Sequence, residues 1–119
     1  MTGHDSQIDS DVYIAAVLKL YLELPETPSR AGPHDRRTAL DLYERRVTFL
    51  TVETAMLLAS LRRLGRPPDY PPLSSIRSLA YFKPTIQELL ANPISDGYLD
   101  YLRRKVRILG EEKRIKKCG

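Results

Sequence analysis

The residues with most chemistry to offer in this 119-residue chain are its cations. Arg103, Arg104, Lys105, Arg107, Lys113, Arg114, Lys116 and Lys117 crowd the final segment, so residues 103–119 hold eight basic and two acidic side chains. Residues 1–102 hold eleven basic against thirteen acidic, so the formal net charge of +4 is a +6 segment on a body of −2. Clustered cations neutralise backbone phosphates, and each contact releases a counterion, giving affinity without reading a base sequence. Cations also suit the negative end of a helix dipole and a solvated face, but ordinary helix termination does not ask for eight of them. Tyr98 and Tyr101, three apart at the start of the same segment, have the type and spacing either to stack on bases or to pack on their own domain with hydroxyls at the rim. Smaller clusters lie at Arg36, Arg37, Arg45 and Arg46, and at Arg62, Arg63 and Arg66. Arg62 and Arg63 read first as charges that close a helix.

Other chemistry finds little material. The two histidines, His4 and His34, stand apart, and neither has the second or third ligand that a metal needs. A Ser-His-Asp arrangement and a Gly-rich phosphate loop are both missing from the pattern. The carboxylate pairs Asp9 with Asp11 and Glu111 with Glu112 sit in terminal segments and read as solvated charges. The expectation is a non-enzyme with no metal and no cofactor. Cys118 is the single cysteine, which excludes an internal disulfide and favours a reducing compartment.

Punctuation by proline and glycine sets the elements that position the cations. The run DVYIAAVLKLYLEL places Tyr13, Ala16, Val17, Leu20, Tyr21 and Leu24 on one helical face, widened by Ile14, Leu18 and Leu22, and stops at Pro25. A Pro/Gly loop follows to Pro33. Asp35 is the expected cap of a second helix, RRTALDLYERR. Thr48 or Thr51 caps a third, which runs to Leu64 with Gly65 placed as a left-handed terminator. Its small residues Ala55 and Ala59 mark it as the central element. RPPDYPPLSS, with four prolines between Pro67 and Pro72, reads as an extended connector. Ser75 is the expected cap of a short helix IRSLAYF, and Pro84 suits the first turn of PTIQELLAN. The last helix begins near Gly97, with Leu99, Leu102, Val106 and Leu109 forming an apolar seam. No strand pair or repeat is visible. The expected fold is all-α: a single compact bundle of five to six helices over residues 8–110. Residues 1–7 are expected as a disordered lead and 111–119 as a basic tail.

The chain is 42% hydrophobic and 29% charged, a globular composition. No apolar run approaches the roughly 20 residues that span a bilayer, and the polar, acidic start MTGHDSQIDSD lacks the marks of a signal peptide. A cytoplasmic protein without membrane contact is expected. The second and third helices have helix-turn-helix lengths around the tight Arg46-Val47-Thr48 connection. The third, however, is apolar over too broad an arc to offer a base-reading face.

The stretches DRRTALDLYERRV, VETAMLLASLRRL, RPPDYPPLSSIRSLAYFKPTIQEL and DGYLDYLRRK resemble a group of short bacterial proteins associated with mobile genetic elements. The order of helix, tight turn, helix with VETA, aromatic YF and closing helix is also similar to the DnaD-type primosomal domain. The resemblance implies non-specific DNA binding and self-association, and a glycine where this chain has Arg46. Two functions follow as expectations. One is a mobile-element accessory protein that binds nucleic-acid backbone through the eight C-terminal cations, with Tyr98 and Tyr101 adding stacking. The other is a helical interaction module or homodimer that pairs through Leu99, Leu102, Val106 and Leu109.

Overall fold

The computed structural model of the protein describes residues 2–67, 69–71, 73–95 and 97–118, with side chains between residues 9 and 112 of those ranges. Every regular element among the described residues is helical, as the sequence pattern requires. α1 (Thr2–Glu23) precedes α2 (Pro33–Glu44) and α3 (Phe49–Leu64). A short 3-10 helix (Leu79–Phe82) then leads into α4 (Lys83–Ala91), and α5 (Gly97–Cys118) closes the chain. The helical backbone of α1 takes in residues 2–7, where a disordered lead was expected, and that of α5 takes in residues 111–118 of the expected tail.

The helix ends follow local chemistry. α1 buries Ile14, Val17 and Tyr21 on one stripe, which Leu24 continues just past its end, and stops two residues short of Pro25. Pro33 opens α2, where its missing N–H costs nothing. Asp35 does not cap this helix as its type suggests. It stands three residues inside, Gly32 is the cap, and one carboxylate oxygen accepts the Gly32 N–H at 3.0 Å. The other oxygen accepts the Leu79 N–H at 2.9 Å, so this buried carboxylate fastens α2 to the 3-10 helix. Thr48 caps α3 as expected, its hydroxyl accepting the Thr51 N–H at 3.2 Å. Gly65 ends α3 at φ −86°, not in the left-handed region. The left-handed positions are Glu26 (φ 66°) and Arg46 (φ 62°), both of which carry side chains.

The expected helix IRSLAYF turns only in its second half, and Ile76, Arg77 and Ser78 lie outside any helix. Only Leu79–Phe82 turns, and its cap is Ser78, whose hydroxyl accepts the Ala80 N–H at 3.1 Å. The Ile76 N–H is given to the Glu26 carbonyl at 2.9 Å, and the Ser74 carbonyl accepts from the Arg63 guanidinium. These long-range bonds tie the chain at Ser74 and Ile76 to the Glu26 turn and to α3 ahead of the 3-10 helix.

α3 is the hub, packing on α1, α4 and α5. Val52, Thr54 through Ser60 and Arg63 are all buried, so this helix has no free polar face. That geometry removes a base-reading helix-turn-helix. Tyr21 meets Phe82 edge-on, with ring centroids 6.2 Å apart, in the same core. Burial pushes the Tyr21 hydroxyl up to about 12, with the Asp35 charge adding to the rise. Tyr13 reaches from α1 to the α2–α3 turn, where its hydroxyl donates to the Val47 carbonyl at 2.7 Å.

Leu99, Leu102 and Val106 belong to this core, at 6%, 0% and 4% exposure. The seam expected to bind a second copy is already covered, because α5 lays it along α3. Leu109 is partly buried at the end of the same stripe. Arg103 reaches Glu53 near the start of α3, while Gly110 faces Pro25, next to the Glu26 that pairs with Arg63 near the end of α3. α5 therefore runs in the same direction as α3. A Cβ at Gly110 would come within 3.0 Å of the Pro25 Cγ, so glycine permits this approach.

Candidate nucleic-acid interface

With its apolar stripe turned inward, α5 exposes Tyr98, Asp100, Tyr101, Arg103, Arg104, Lys105 and Arg107. Arg103 is held in place. Its guanidinium grips both Glu53 oxygens at 2.9 Å and reaches Asp100 at 3.3 Å, and the hydrogen bond to Glu53 leads the causes that hold it charged. That fork matches the cation to a carboxylate on α3. Arg104, Lys105 and Arg107 are exposed and have no ion-pair partner among the described residues. Lys113, Arg114, Lys116 and Lys117 stand on the same continuous helix, and their side chains lie outside the described residues.

Tyr98 and Tyr101 pair with each other. Their rings stack at 5.2 Å with planes 28° apart, and they stay 37% and 41% exposed. Lys105 follows Tyr101 by one helical turn, on the same flank. The two tyrosines and Lys105 thus share one side of α5, next to the seam and not within it.

Other cations are committed elsewhere. Arg62 binds both oxygens of Glu88 at 2.8 and 2.7 Å, which holds the Glu88 carboxyl below its usual range. Arg45 pairs with Asp41 at 3.0 Å. Arg63 departs most from the sequence reading: it is buried in place of closing a helix in solvent. Burial works against its charge, but hydrogen bonds to Glu26 and Tyr81 outweigh that and hold it charged. Its guanidinium also donates to the Ser74 carbonyl and lies over the Tyr81 ring, 5.6 Å from the centroid. Three such partners from three segments cannot be read from local spacing. Arg36, Arg37 and Arg46 are exposed and without ion-pair partners among the described residues.

Arg46 has a φ of 62°, in the left-handed region that glycine adopts without strain. A side chain there costs about 1–2 kcal/mol, which glycine avoids at the expense of a more flexible unfolded chain. Arg46→Gly should raise stability by about 0.5–1 kcal/mol in urea denaturation; a loss would mean the Arg46 side chain holds the turn.

Two shallow grooves flank α4. One, of about 220 Å³, gathers Arg45, Arg46 and Lys83 around Leu42, Ile86 and Leu90; the other, of about 210 Å³, lies between Leu50, Leu89, Ile94 and Leu99. Among the described residues no group of three or more His, Cys, Asp and Glu gathers as a metal site, and no helix is long and apolar enough to cross a membrane. Compared with protein-family models, curated proteins and solved structures, the chain has no match.

Proposed function

We propose that this chain is a non-enzymatic protein that binds the phosphate backbone of nucleic acid through the outer face of α5, in the cytoplasmic accessory role that its resemblance to mobile-element proteins implies. One observation carries this: Arg104, Lys105 and Arg107 lie exposed along one uninterrupted helix with no ion-pair partner among the described residues, while Arg62, Arg63 and Arg103 are bound by carboxylates. Cations already matched to carboxylates have little left to give a phosphate; unmatched ones release counterions on contact. The alternative, a helical interaction module or homodimer, loses its motivating surface, because Leu99, Leu102 and Val106 are covered by the chain's own core.

Cutting the chain at Leu102 would remove the buried Val106 along with the cations, so the clean test is substitution in the full chain. Arg104→Gln, Lys105→Gln and Arg107→Gln combined should weaken binding to a 30-base-pair duplex about tenfold or more in a mobility-shift titration at low salt. Unchanged affinity would refute the reading. Arg103→Gln serves as the contrast, with a loss of only about twofold expected, since its charge is already matched by Glu53.

A further inference from the structure

We infer that the Tyr98–Tyr101 pair is a base-stacking platform that makes single-stranded nucleic acid the preferred ligand of α5. This rests on the phosphate-binding reading above and adds the class of strand.

The pair is arranged as a platform and not as core. Tyr101 is i+3 from Tyr98, and the rings lie nearly parallel at 5.2 Å, so each covers one face of the other. They remain 37% and 41% exposed, whereas Tyr21 in the core is at 0%. Other exposed aromatics are engaged differently: Tyr70 lies under Arg66 at 5.3 Å, and Tyr81 under Arg63 and edge-on to Phe82. Tyr98 and Tyr101 take each other as ring partners, and among the described residues no cation lies over either. Lys105, one turn on, is an exposed unpaired ammonium, and Arg104 adds a second charge beside it. An aromatic stack followed by cations on one helix flank matches the alternation of base and phosphate along a single strand. In a duplex the bases are stacked on each other and their π-faces are closed to a side chain, so the tyrosines contribute nothing there. A π-face does not discriminate between bases, so the preference is for strandedness and not for sequence.

The test compares a fluorescent 20-nucleotide oligodeoxythymidylate with a 20-base-pair mixed-sequence duplex, using full-length wild type, Tyr98→Leu/Tyr101→Leu and Tyr98→Phe/Tyr101→Phe. The leucine variant should lose about fivefold or more in single-strand affinity, while duplex affinity changes by less than twofold. The phenylalanine variant, which keeps the rings, should retain the single-strand affinity and shows that any loss is not a folding defect. Equal losses on both strands, or none on the single strand, would overturn the stacking role and leave phosphate binding standing. Failure of wild type to bind either probe would overturn both. An oligouridylate arm extends the comparison to RNA: the same fivefold dependence on the rings is expected, and its absence there would also count against a stacking mode indifferent to the sugar.

Discussion

Arg63→Ala should cost about 3–5 kcal/mol of folding stability, the range for removing one partner of a buried ion pair. The side chain is 5% exposed and joins three separate segments: Glu26 after α1, Ser74 in the extended connector and Tyr81 in the 3-10 helix. Removing it takes the guanidinium from the partly buried Glu26 carboxylate and the donor from the Ser74 carbonyl. Glu26 is itself held left-handed at φ 66°, a conformation retained because its carbonyl accepts from Ile76 and its carboxylate from Arg63. Arg63→Lys should recover little, since an ammonium lacks the planar fork that reaches all three segments. Arg63→Met combined with Glu26→Gln should be milder than Arg63→Ala, because no uncompensated charge remains. Urea denaturation of these variants gives the ordering. A loss under about 1 kcal/mol for Arg63→Ala would mean the connector is not tied down by this residue.

The second large effect is at Leu102, wholly buried where α5 meets α3. Leu102→Ala should cost about 2–5 kcal/mol, and Leu102→Asp should leave no stable fold, because an unpaired carboxylate would have to be buried. If the seam were an intermolecular surface, the same aspartate would instead give a folded monomer from an associated wild type. Circular dichroism melts with light scattering separate the two. The covered seam predicts loss of helix signal with Leu102→Asp, and a lowered melting temperature with unchanged molecular mass for Leu102→Ala.

Much of this fold was legible because its determinants are local. Prolines at 25, 33 and 84, the Thr48 cap and the apolar stripes of α1 and α5 act within a turn or two of themselves, so the helices and their inward faces follow from spacing. The misreadings share the opposite property. Asp35 was assigned to its own helix end, yet half of its bonding goes to Leu79, 44 residues away. Ser78 and not Ser75 is the cap, and the chain before it bonds through Ile76 and Ser74 to Glu26 and Arg63, far off in sequence. Arg103 looked like the first of eight equivalent cations until Glu53, 50 residues earlier, claimed it. At the candidate interface, composition located the helix and its cations, but tertiary pairing decides which of them are available. Asp100 reaches Arg103 locally, but the larger difference from Arg104, Lys105 and Arg107 is the Glu53 carboxylate on α3, which takes both ends of the Arg103 fork.

The central claim is that those unpaired cations meet phosphates, and the salt dependence of binding measures it most directly. Affinity for a duplex, followed between about 50 and 200 mM salt, gives a log–log slope proportional to the number of phosphates neutralised, at about 0.9 per contact. Wild type should show a steep slope, and the Arg104→Gln, Lys105→Gln, Arg107→Gln variant one shallower by nearly 3. Identical slopes for the two proteins would contradict the account.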